Sequence, residues 1–339
     1  MTRRSGLAGL AVAMAALAAS GCSNSSAAPS AGSTSSSPPA TATTSDATPT
    51  PSPSALTPGA RVGGSAGEVV TVGKQVWAQI DTELDRIDPG TGAIVRRVDV
   101  GDDARAGTTV VGHDVWVATQ SGTAVVDTRV GRVVRHYKDV VIPDGQVGWA
   151  VRGAQVVRLS LPSGKVTGRA SLGSVQPDDW TPILAVGDGA AWVGLGTRHD
   201  LVRIDATTLR PTHIKGFAAA DCLMVVGVGY GSVWVQQNAV GAGRLYLVDP
   251  ATSRIIRQVS LGKRDEAGRF GGTNLVFARN AVWTGDSSPT VTAVSSTGKV
   301  ERVIDVPTAP QYLGITAGDI WLGADVESHT PGLTRVRMP

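Results

Sequence analysis

Gly231-Ser232-Val233-Trp234-Val235 is followed shortly by Val248-Asp249-Pro250-Ala251-Thr252. The first phrase is a glycine turn leading into a short β-branched segment centred on tryptophan. It recurs as Val76-Trp77-Ala78, Val115-Trp116-Val117, Gly148-Trp149-Ala150, Ala191-Trp192-Val193, Val282-Trp283-Thr284 and Ile320-Trp321-Leu322. Successive tryptophans lie 39, 33, 43, 42, 49 and 38 residues apart, a period that marks a repeat architecture. Two helices per repeat would fit the same period. The segments, however, are short, β-branched and punctuated by Gly and Asp-Pro, with no 3.6-residue periodicity.

The second phrase trails each tryptophan by about ten residues. Its other versions include Arg86-Ile87-Asp88-Pro89-Gly90-Thr91-Gly92, Val126-Asp127-Thr128-Arg129-Val130-Gly131 and Ile204-Asp205-Ala206-Thr207-Thr208. An Asp that accepts from turn N–H groups, a Pro that presets φ and a late Gly at positive φ make this a hairpin turn. Each repeat then holds four strands, predicted in the first at 67–72, 75–80, 83–88 and 93–100. Seven such units read as an all-β fold, a seven-bladed β-propeller of four-stranded antiparallel blades. Large flat rings at one place in every blade are expected to fill the gap to the next blade, as core. The last repeat supplies three strands of its own, so residues near Leu56 to Gly64 are expected to add its outer strand and cover an otherwise open edge.

Ahead of the repeats, Met1 to Arg4 form a positive start and Gly6 to Ala19 an apolar run of 14 residues. That is too short to span a membrane and fits a signal peptide. It ends Ala19-Ser20-Gly21-Cys22, which resembles a bacterial lipobox with Cys22 as the lipidated residue. From Ser23 to Ala60 the chain is nearly all Ser, Thr, Pro, Ala and Gly, with Asp46 its sole charge. Such a composition offers little apolar surface against ordering entropy and is expected to be a disordered tether. The expected organisation is a leader over 1–21, a tether over 22–60 and a propeller over 61–339. Formal charge is +3 and falls to about +1 once Arg3 and Arg4 leave with the leader. The charge is spread without runs, which argues against nucleic acid as a partner. Cys222 is the one other cysteine, so no intramolecular disulfide is expected in the mature chain.

The paired phrases Gly112 to Val117 with Arg86 to Gly92, and Gly231 to Val235 with Asp249 to Thr252, resemble the repeats of YVTN and streptogramin-lyase-like (virginiamycin B lyase-like) propellers. The resemblance covers about 62–339 and rests on structural motifs, which say little of function. Carried to chemistry, it implies a bound Mg²⁺ and a His/Glu acid–base set that breaks an ester by elimination. Of the five histidines, His113 falls in a turn at the opposite face, and His136 and His213 fall in outer strands. His199 (beside Asp200) and His329 (after Asp325 and Glu327) fall in loops following a Trp strand. His199, His329 and Glu327 are therefore the catalytic candidates. No pair has metal-ligand spacing, and no metal or other cofactor is expected outside the lyase reading.

In a four-stranded blade, loops leading into the inner strand and loops leaving the Trp strand share one face around the channel mouth, the default binding surface. The longest there are Ser174 to Pro182, with Asp178, Asp179 and Trp180, and Lys263 to Asn274, with Arg264, Asp265 and Glu266. Gly101 to Gly107 adds Asp102, Asp103 and Arg105. Loops after Trp strands add Gln236, Gln237, Asn238, Asp286, Asp325 and Glu327. A polar rim of mixed charge suits an envelope protein or a small polar ligand. The expected function is therefore a binding module, membrane-anchored through the lipid on Cys22 and facing away from the cytoplasm. A metal-dependent lyase or hydrolase using the same face is the alternative.

Overall fold

The computed structural model describes residues 54–55, 58–62, 66–101, 104–173, 183–195, 200–218, 222–239, 242–263, 274–285, 289–316, 318–324 and 332–338. These form seven sheets in which each strand pairs antiparallel with the next in the chain, save where the N-terminal segment joins. In the first blade the strands are Ala66–Val72, Gln75–Ile80, Glu83–Ile87 and Ile94–Asp99, within a residue or so of the expected ones. The inner strands of consecutive blades adjoin all the way round, and the seventh, Tyr312–Ile315, meets the first. The chain is a seven-bladed β-propeller.

The tryptophans hold the ring together. Trp77, Trp149, Trp192, Trp234 and Trp321 are fully buried, and Trp116 and Trp283 are at most 6 % exposed. The apolar core is divided into seven clusters, each lying between two neighbouring blades. Trp77 packs on Val115 and Val117 of the second blade. Trp192 packs on Val226, Val233 and Val235 of the fifth. Trp321 of the last packs on Val69, Val76 and Ala78 of the first, which closes the circle. Three indole N–H groups, those of Trp192, Trp234 and Trp283, donate to the carbonyl five residues back, at 3.1, 3.0 and 3.0 Å.

The hairpin turns are built as their residues imply. Asp88 Oδ1 accepts from the N–H groups of Gly90 and Thr91 at 2.8 and 2.9 Å, and Asp205 Oδ1 does so from Thr207 and Thr208. Donated hydrogen bonds favour the ionised form. They hold Asp88 below the usual carboxylate range through Thr91 first, and bring Asp205 down to about 2 through Thr208 first.

The seventh blade closes as expected. Pro58–Val62 pairs antiparallel with Gly332–Arg337, with Val62 opposite Leu333 and Pro58 opposite Val336. Ser54–Ala55 adds a short parallel pairing to Val300–Asp305 of the sixth blade, which the sequence did not suggest. Residues 54–55 and 58–60, read from composition as tether, thus pair within the propeller.

Candidate functional site: the channel mouth

Blade connectivity gives the ring two unlike ends. At one, the inner and Trp strands of the first six blades are joined by two-residue turns, Gly73–Lys74, Gly112–His113, Gly145–Gln146, Asp188–Gly189, Tyr230–Gly231 and Arg279–Asn280, and those of the seventh by the three residues 316–318. In Tyr230–Gly231 and Arg279–Asn280 both residues have positive φ, the type I′ geometry that suits a tight hairpin. At the other end the links differ from blade to blade, from 81–82 in the first to 264–274 between the fifth and sixth. That second end is the channel mouth.

The inner strands are also irregular at the mouth. Register shifts between Ala66 and Val69, between Ala104 and Thr108, and between Leu223 and Val225 bulge the inner strands of blades one, two and five. A bulge re-aims side chains and concentrates beside functional sites. In blade one it swings Glu68, 6 % exposed, across to the second blade, where its carboxylate accepts from the Thr108 N–H. Asn274 makes the matching contact two blades before: its Oδ1 accepts from Leu313 N–H at 2.9 Å and its Nδ2 donates to Leu313 C=O at 2.7 Å. Glu68 and Asn274 each stand nine residues before their tryptophans, and Thr108 and Leu313 each eight before theirs. The same clasp therefore joins inner strands at two interfaces. A second kind of clasp lies just outward. Gln79 and Gln236, each two residues after a tryptophan, donate through Nε2 to Ala118 C=O (3.3 Å) and Gly285 C=O (3.0 Å) of the next blade. Thr284 Oγ1 donates to Gln236 Oε1 at 2.6 Å.

Two buried carboxyls carry raised pKa values. Burial lifts Glu68 to about 7 against the hydrogen bonds from the Thr108 and Gly107 backbone. Asp85, 1 % exposed, stands in the third strand of blade one opposite Ala78, and neither of its carboxylate oxygens has a hydrogen-bond partner among the described residues. Burial first, then Glu83, lifts it to about 6, with Arg97 opposing. In both cases the folded chain keeps its proton to higher pH than the unfolded one, so stability falls as pH climbs from the ordinary carboxyl range toward 6 and 7. The turn aspartates act the other way, contributing above about pH 4 and losing their effect as acid protonates them. The melting temperature is therefore expected to peak near pH 4–5. Glu68→Gln should remove roughly half of the decline between pH 4.5 and 7, a difference on the order of 2 kcal/mol, and leave the share that Asp85 contributes. Unchanged pH slopes in calorimetry of that variant would contradict the assignment.

Four residues read from sequence as rim loops lie in strands. Gln236, Gln237 and Asn238 belong to the strand Ser232–Ala239, and Gln236 and Gln237 are fully buried, because this Trp strand runs on past its core into the clasp layer. Arg105 falls in the inner strand Ala104–Val111. Asp200 pairs with His213 Nδ1 (3.5 Å) and with Lys215 (3.4 Å). His136 and His213 do lie in outer strands and His113 in the opposite-end turn. Cys22, Asp102, Asp103, Asp178, Asp179, Trp180, His199, Arg264, Asp265, Glu266, Asp286, Asp325, Glu327 and His329 lie outside the described residues. Among the described residues, no three His, Cys, Asp or Glu side chains are grouped to hold a metal. The clasps Glu68, Gln79 and Asn274 were missed. Their signal was a polar side chain at a fixed offset from tryptophan in an otherwise apolar strand.

No family model matches the chain, and no curated protein matches it. Solved structures do. BamB from Moraxella catarrhalis is 17% identical with a TM-score of 0.50, over 78% of this chain and 80% of that one. The computationally designed Ika8 protein is 13% identical with a TM-score of 0.58, over 82% and 98%. The extracellular domain of BT4673, named as a one component system of B. thetaiotaomicron, is 15% identical with a TM-score of 0.59, over 81% of this chain and 39% of that one. At these identities the likeness is one of fold.

Proposed function

We propose that the chain is a lipid-anchored, extracytoplasmic binding module whose channel mouth takes an envelope protein or a small polar ligand. In this reading residues 1–21 are a removed leader and Cys22 carries the lipid. The Ser/Thr/Pro-rich segment up to the strand at Ser54 is a tether in this reading. The observation that carries the reading is the contrast between the two ends of the ring. The far end is finished with minimal, self-satisfied turns. The mouth holds the bulged inner strands and the links of unequal length, the places where a repeat fold departs from its repeat to make a site. That one fold neighbour is an extracellular domain accords with the location. The polar, mixed-charge residues of those links fit a protein surface or a polar ligand better than an apolar one.

Photo-crosslinking in the producing cell tests it. A crosslinker at Thr82, in the mouth-side turn of blade one, is expected to capture a partner or labelled ligand. One at Lys74, in the opposite turn, is expected to capture none. Capture from Lys74 alone would overturn the choice of face. The lyase or hydrolase alternative makes a different forecast: Mg²⁺ would raise the melting temperature, and His199→Ala or His329→Ala would abolish that rise. Release of the chain from the membrane fraction by Cys22→Ser tests the anchor separately.

A further inference from the structure

At most blade interfaces an arginine from one blade leans on the third-to-outer turn of the next. Each tryptophan heads a cross-strand row, such as Trp77–Arg86–Arg96, Trp149–Arg158–Gly168 and Trp234–Leu247–Arg257. Arg158 Nη1 donates to Ala206 C=O of blade four at 2.5 Å, and Arg335 Nη1 to Gly90 C=O of blade one at 3.2 Å. Arg96 lies close over Gly131 of blade two, and Arg257 over Gly298 of blade six, so that a Cβ on either glycine would push the arginine aside. In the sixth blade the row reads Trp283–Ala293–Arg302. Among the described residues the next blade has no such turn to meet it, because its third strand, Gly332–Arg337, is partnered by Pro58–Val62 from the far end of the sequence. In that place is a cleft of about 110 Å³ lined by Arg279, Ala281, Trp283, Ala293, Glu301 and Arg302.

We propose that this cleft is a site for a small oxyanion, with a carboxylate as the fitting form. The missing turn is an acceptor: its carbonyl is what Arg158 and Arg335 hold at the other interfaces. Among the described residues Arg302 has no hydrogen bond or ion pair, and Arg279 contacts only Met338 Sδ, at 3.3 Å. Among the described residues, two guanidiniums thus line one cavity with no carboxylate paired to either of them. Where Arg335 covers its tryptophan from 5.9 Å, Ala293 stands in the sixth blade, and the small side chain leaves the space open. A single Arg on an outer strand guards an edge against pairing. Two that share a cavity floored by an indole and two alanines form a fork for an anion, which charge-assisted bonds hold at least as well as a carbonyl. Glu301 lines the same cleft and disfavours a dianion, so a monoanionic carboxylate is preferred to phosphate.

The test follows the Trp283 indole N–H, which donates to Ala278 C=O at the cleft, by nitrogen–proton NMR of the full chain. Its signal is assigned through Trp283→Phe. Sodium acetate and inorganic phosphate are titrated separately at constant ionic strength. Acetate is expected to shift this signal saturably, in the millimolar range. Arg302→Gln, a change at an exposed side chain, should weaken the effect roughly tenfold or more. Lys299→Gln, which removes a nearby charge outside the cleft, should leave it intact. Saturation by phosphate with acetate inert would uphold the anion site and reverse the preference for a carboxylate. No saturable shift with either probe, or an equal response in Arg302→Gln, would overturn the proposal.

Discussion

A chain begun at Ser65 is expected to unfold well below one begun at Ser54, by about 3–5 kcal/mol. Pro58–Val62 is the fourth strand of a blade whose other three lie at the opposite end of the sequence. Its removal strips the ladder from Gly332–Arg337, at roughly 0.5–1.5 kcal/mol for each lost hydrogen bond. It also opens Leu333 and Val336, both fully buried, to water. The damage does not stay local. The seventh blade carries Trp321 into the first and receives Trp283 from the sixth, so loosening it loosens two of the seven cores. A bare edge of this kind also recruits other chains, so the shortened protein should associate as concentration rises. Thermal unfolding by circular dichroism and light scattering read both effects. A chain begun at Pro58 should stay close to the longer one, because Ser54–Ala55 contributes a single two-residue parallel pairing. Equal stability of the Ser54 and Ser65 chains would refute closure by the N-terminal strand.

The fold was legible because its instructions are written seven times. Any one Val-Trp-Val could be a buried strand of many folds; seven at a spacing near 41 residues, four of them followed by a turn that opens on Asp (Asp88, Asp127, Asp205 and Asp249), admit few others. The turn chemistry could be read residue by residue, since Asp88 and Asp205 bond to their own neighbours and need nothing from elsewhere in the chain. The parallel pairing of Ser54–Ala55 was not legible. It depends on a partner some 250 residues away, and its own residues, serine and alanine, carry no strand preference.

The site was less legible for a related physical reason. A repeat reveals what its members share, and function sits where they differ. Glu68, Gln79 and Asn274 are polar residues whose partners lie on the next blade, so they show as exceptions only once the blades are aligned on their tryptophans. Gln236 and Gln237 misled because two glutamines after Trp234-Val235 look like the end of a strand. The strand instead continues through both, and Gln236 exchanges bonds with Thr284 and Gly285. The vacancy beside Trp283 carried no signal of its own. Ala293 is an ordinary strand residue until the rows of blades one, three, four and seven show arginine in its place.

Trp234→Ala is expected to cost about 3–5 kcal/mol, the range for emptying a buried aromatic site. The indole is fully buried between Leu245 and Leu247 of its own blade and Val282 and Val294 of the next, and its N–H is held by Gly229 C=O at 3.0 Å. Truncation leaves a cavity that the two sheets can close only by tilting, and closed neighbours on both sides resist that. Trp116 offers the control. It is slightly exposed, stacks on Tyr137 with ring centroids 5.3 Å apart, and its indole nitrogen has no hydrogen-bond partner among the described residues. Replacement by phenylalanine keeps most of the packing at either site but breaks a buried hydrogen bond only at the first. Trp234→Phe should therefore be the costlier of the two by about 1 kcal/mol. Chemical denaturation of the four variants reads both differences. Were Trp234→Ala to keep its melting temperature while losing a bound partner, the ring would be a ligand platform instead of the wedge between blades, and the choice of the channel mouth as binding face would fall with it.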